Sequence, residues 1–113
     1  MAKKYLLPLS EIVEEALAKR EDEIEPVFKH FFSGATLSVN RNTCINFSPA
    51  GFAVKLSQRD RDALVTQHNA KPLKFEGTGP VRREYVILPK PLLEDKETLH
   101  RWVNASIDFV INE

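Results

Sequence analysis

The sequence is poor in cysteine, in net charge and in long apolar runs, and each shortage excludes something. A single cysteine, Cys44, rules out an internal disulfide, and so few thiols suit a reducing compartment as well as any other. Sixteen basic residues cancel sixteen acidic ones, so no global positive field draws in nucleic acid or an anionic membrane. Such binding would need a local patch. No apolar run approaches the roughly 20 residues of a membrane-crossing helix. The start MAKKYLLPLSEI offers only Tyr5, Leu6 and Leu7 before Pro8, too short for a signal-peptide core. These shortages predict a cytoplasmic chain without membrane contact.

Chemical motifs are scarce as well. The three histidines, His30, His68 and His100, never fall at the spacings of metal-ligand pairs. His68 and His100 read as surface residues. The acidic run Glu21, Asp22, Glu23 and Glu25 lacks the alternating oxygens and turn glycine of a calcium loop, and reads as a solvated linker. No G-x-S-x-G, P-loop or G-x-G-x-x-G occurs, and Gly77, Thr78, Gly79 and Pro80 read as a turn. Cys44 lies in a strand pattern without a cysteine or histidine close by, which predicts a half-buried structural thiol rather than a nucleophile. The expectation is no metal, no cofactor and no enzyme, an enzyme using Cys44 or His30 being the outlying alternative.

What is present is an ordinary folding chain. Its 113 residues are 42% apolar with seven Phe and one Trp, and folding at that length buries about two thirds of the unfolded surface. Leu9, Ile12, Val13, Ala16 and Leu17 recur with helical period, with glutamates towards the start and Lys19 and Arg20 towards the end. Residues 24–32 fit helix or strand equally. Beyond Gly34 the period falls to two: Ala35, Leu37 and Val39 form one half-buried strand and Ile45 and Phe47 another, joined by turn residues Asn40, Arg41 and Asn42. Pro49 and Gly51 mark a second turn before a third strand through Phe52, Val54 and Leu56.

Ser57 is placed to cap a second helix that ends near Gln67, since Asn69 and Pro72 follow. The run Tyr85 to Leu88 suits an interior strand covered on both faces, closed by Pro89 and Pro91. Asp95 caps a last helix in which Leu99, Trp102, Val103, Ser106, Ile107 and Val110 share a stripe, with Trp102 expected mostly buried. The order is that of an α+β domain in which helices pack on a curved, mainly antiparallel sheet.

Two surface groups are candidates for recognition. Phe28, Phe31 and Phe32 cluster in one short segment, and at least one of them falls off the buried face in either period, as at an interaction site. Arg59, Arg61, Arg82 and Arg83 could form a basic patch, but Asp60, Asp62 and Glu84 interleave with them, so nucleic-acid binding through them should be weak.

The string FFSGATLSVNR, with Phe32, Gly34 and Val39, resembles the M-F-G-G-x-x-x-x-V-x-G opening of the TfoX N-terminal domain family, Ser33 and Arg41 departing from it. AKPLKFEGTGPVRREYVIL is similar to its A-[RK]-P-[ML]-x-F-x-G-x-P-[MV]-[RK] segment through Ala70, Lys71, Pro72, Leu73, Phe75 and Gly77, with one extra residue before Pro80. Leu99 and Trp102 resemble its terminal L-x-x-W helix. The resemblance implies a secretion-chaperone-like domain over residues 1–113, without the C-terminal helical domain that competence regulators of the family carry. It brings no catalytic residues. The function expected is a regulatory or protein-interaction module that pairs with itself and with an unknown protein; a small-molecule or nucleic-acid-binding domain using the arginines is the alternative.

Overall fold

A computed structural model describes residues 3–31, 34–74 and 81–112, without the side chains of residues 3, 31, 72–74 and 81–83. The described elements are α1 (Lys3–Leu17), β1 (Val27–Phe31), β2 (Gly34–Val39), β3 (Asn42–Ser48), β4 (Gly51–Lys55), α2 (Gln58–His68), β5 (Lys71–Lys74), β6 (Val81–Ile87), α3 (Lys90–Glu94) and α4 (Lys96–Ile111). The strands form one antiparallel sheet in the order β1-β2-β3-β4-β6-β5. This is the expected α+β architecture; of the stretch 24–32 that fitted helix or strand, residues 24–31 form coil and then β1.

The first helix begins six residues before Leu9 and carries Pro8 inside it. Proline has no N–H for the helical ladder. Packing offsets that loss: the Tyr5 ring meets Phe47 edge-on at 5.1 Å, and Phe47 meets Phe52 at 5.1 Å. The helix stops at Leu17, so Lys19 and Arg20 lie in the turn beyond it.

Alternation holds cleanly in β2, where Ala35, Leu37 and Val39 are buried. Asn40 and Arg41 both take the left-handed conformation of a tight hairpin turn. β3 departs from simple alternation. Leu37 pairs with Ile45 and Ser38 with Thr43, which leaves Cys44 as an extra residue in a bulge. Cys44 and Ile45 are consequently both fully buried. Gly51 closes the next turn at φ 131°, where a Cβ would lie 2.6 Å from Ile87 Cγ2.

Ser57 Oγ accepts from the Asp60 N–H at 3.3 Å to start α2, and left-handed Asn69 ends it, with the Ala70 N–H donating to the Leu64 carbonyl. The segment Pro89 to Glu94, expected only to close a strand, forms α3, because proline is well tolerated in a first helical turn. Asp95 accepts from the Thr98 N–H and hydroxyl at 3.4 and 2.9 Å to start α4.

The core lies between the sheet and α1, α2 and α4, and contains Leu9, Val13, Leu37, Ile45, Phe52, Val54, Leu64, Val103 and Ile107. On α4 the stripe Leu99, Val103, Ser106, Ile107 and Val110 is buried, whereas Trp102 is only half-buried on its shoulder. β6 is interior in the sheet as expected, yet among its described side chains only Val86 is buried; Tyr85 and Ile87 stay half-exposed. Two substitutions separate these positions. Ile107→Ala should destabilise by about 2 to 5 kcal/mol in urea unfolding, and Trp102→Ala by less despite its larger side chain. A larger loss at Trp102 would place it in the core.

Candidate functional site

The polar side chains able to carry chemistry concentrate on the seam between α1 and α4. On α4, His100, Asn104 and Asp108 stand four residues apart and so share one line along the helix. Each meets α1 or the turn after it. His100 Nε2 lies 3.2 Å from Glu15 Oε1, Asn104 Nδ2 donates to the Ala16 carbonyl at 3.0 Å, and Arg20 Nη2 donates to Asp108 at 2.8 Å. Arg20 also forks onto both carboxylate oxygens of Asp22 at 2.9 and 2.8 Å.

Electrostatics follow from this arrangement. The Arg20 side chain is 11% exposed between two half-exposed carboxylates. The Asp22 hydrogen bond, with that of Asp108, raises the guanidinium above its usual range, and Arg20 in turn holds the Asp22 carboxyl below the ordinary carboxylate range. His100 is 5% exposed, not the surface residue its spacing suggested, because the polar line it heads is turned onto α1. Its approach to Glu15 lacks hydrogen-bond geometry, and Nδ1 has no partner among the described residues.

Beside the seam, an open cleft of about 400 Å³ is lined by Ser57, Asp60, Ala105, Asp108, Phe109 and Asn112. Much of its polar lining is engaged within the chain: Ser57 caps α2, Asp108 holds Arg20, and Asn112 Nδ2 donates to the Asp108 carbonyl at 2.7 Å. Among the described residues no group of three or more His, Cys, Asp or Glu could hold a metal ion. Cys44 is sealed beneath α4, where its carbonyl accepts from Ser106 Oγ at 3.0 Å, and burial pushes its thiol up to about 12. The reactive thiolate is therefore suppressed at neutral pH.

The residues singled out in the sequence meet different fates. Phe28 is half-buried against the core from β1; Phe31 ends that strand opposite Gly34 with its side chain outside the described residues, as is all of Phe32. Arg59 is exposed on α2. Arg61 is half-buried, its Nε donating to the Ser57 carbonyl at 3.4 Å. The backbones of Arg82 and Arg83 lie in β6, and their side chains fall outside the described residues. His30 is exposed on β1, and the turn expected at Gly77 to Pro80 lies outside the described residues.

Residues 15–110 match the TfoX N-terminal domain family. The chain belongs to that family. No curated protein and no solved structure matches it. Several of the family-like positions that are described have packing roles in this TfoX N-terminal domain, whereas Lys71 is exposed. A Cβ on Gly34 would lie 2.5 Å from the Phe47 carbonyl oxygen, Ala70 is buried beside the end of α2, and Leu99 is buried on the core face of α4. Sequence reasoning missed the α1–α4 seam, although the four-residue spacing of His100, Asn104 and Asp108 was a visible signal for a second, polar contact line.

The state of Cys44 gives a direct check. In native protein at pH 8 the thiol should stay unmodified by an aromatic disulfide reagent, and one equivalent should react on denaturation. Rapid native reaction would show that α4 does not seal the bulge.

Proposed function

We propose that this TfoX N-terminal domain is a non-enzymatic regulatory or protein-interaction module that works as a homodimer in the cytoplasm. The observation that carries the reading is where the reactive groups lie. Arg20, Asp22, Asn104 and Asp108 bind one another, and Cys44 is buried as a neutral thiol. Large apolar side chains are exposed instead: Leu7 at 54%, Val27 at 47% and Val65 at 44%. Exposed apolar residues, Val27 of them on an edge strand, suit protein contact more than turnover.

The compartment is supported by composition, and no helix among the described residues is long and apolar enough to cross a membrane. Two-fold pairing is the commonest form of self-association. Light scattering at micromolar concentration tests it: a mass near twice 12.9 kDa is expected, and a mass near 12.9 kDa at every concentration would contradict the homodimer.

A further inference from the structure

We infer that two copies join through antiparallel pairing of their β1 edges, about a two-fold axis at Val27. The inference rests on the self-association proposed above and adds the strand and the register.

β1 ends the sheet, so among the described strands its outer side has no neighbour. An edge strand presents unpaired N–H and C=O groups to any second strand. The two edges of this sheet differ. β5 contains Pro72, which has no N–H, and its register with β6 shifts beside that residue; both features blunt pairing. β1 contains no proline and pairs with β2 without a shift. It also exposes Val27 at 47%.

Charge selects the register. From Glu23 in the coil before β1 to Lys29 within it, exposure alternates: Glu23, Glu25, Val27 and Lys29 are exposed, while Ile24, Pro26 and Phe28 are half-buried; His30, next along, is exposed again. That period of two marks extended backbone, which Pro26 also imposes on Glu25. Glu25, Val27 and Lys29 thus share the face opposite the one that Phe28 turns to the core. A two-fold axis normal to a continuous sheet must pass through a residue to keep the faces matched.

With the axis at Val27, each Val27 meets its copy, and each Glu25 lies across from Lys29 of the other copy on both sides of that apolar pair. An axis at Lys29 opposes two lysines, one at Phe28 opposes Lys29 to Val27, and one at Pro26 sets Glu23 across from Lys29 but opposes Glu25 to Val27 and leaves the two valines apart. Opposite charges directly across a strand pair are favourable and like charges are not. The Val27 register satisfies both terms and covers the exposed valine. Pro26 removes no more than one backbone donor per strand from it.

Charge reversal tests this by sedimentation equilibrium on the full chain. Glu25→Lys and Lys29→Glu should each weaken the dimer by about tenfold, and the combined variant should recover to within about threefold of the wild type. Val27→Cys should crosslink to its own copy under mild oxidation, since Cys44 is buried. All these positions are exposed, and circular dichroism verifies that each variant folds. A wild-type dimer that ignores both reversals and does not crosslink would overturn the β1 pairing while leaving the homodimer standing. Single variants that weaken it without recovery in the combined variant would overturn the register. A monomeric wild type would overturn both.

Discussion

The sheet is built from the middle of the chain and is covered by helices from its two ends, so the fold depends on how those ends are held together. α1 and α4 lie side by side across β2 and β3. Apolar burial drives them onto the sheet but does little to choose their mutual position, since hydrophobic contact has no direction. Direction comes from the polar line of α4. Asn104 reaches the Ala16 carbonyl, Arg20 spans Asp22 and Asp108, and His100 sits against Glu15. Hydrogen bonds with preferred angles fix what burial leaves free.

That use of polar residues bears on function. Arg20, Asn104 and Asp108, which would suggest chemistry in a list of residues, are engaged in structure here, and burial of Cys44 at the bulge raises its pKa, while His30 and Arg59 stay exposed. Beside its many charged side chains, the surface keeps backbone at the sheet edges and a few exposed apolar side chains, Leu7, Val27 and Val65. Several family-like positions, Gly34, Ala70 and Leu99 among them, are packing residues.

Local physics made much of the fold legible in the sequence. The alternation of Ala35, Leu37 and Val39, the left-handed Asn40 and Asn69, and the caps at Ser57 and Asp95 all act within a few residues. The misreadings involve distant contacts. The apolar stripe placed the first helix from Leu9 on, but the helix begins at Lys3, and Tyr5 finds Phe47 some forty positions away. His100 looked like surface until α1 was set against it, and Trp102 shared a stripe with core residues yet lies at its margin. The candidate aromatic segment was half legible: its strand is an edge, while Phe28 is drawn partly into the core.

A double-mutant cycle on Arg20 and Asp108, read by urea unfolding, tests most directly whether the seam holds the two ends together. Arg20→Met and Asp108→Asn should each destabilise the domain, and the double variant should lose less than the sum, with a coupling of about 0.5 to 1 kcal/mol, the upper range for a part-exposed pair. Additive losses, or no loss at either site, would contradict the account.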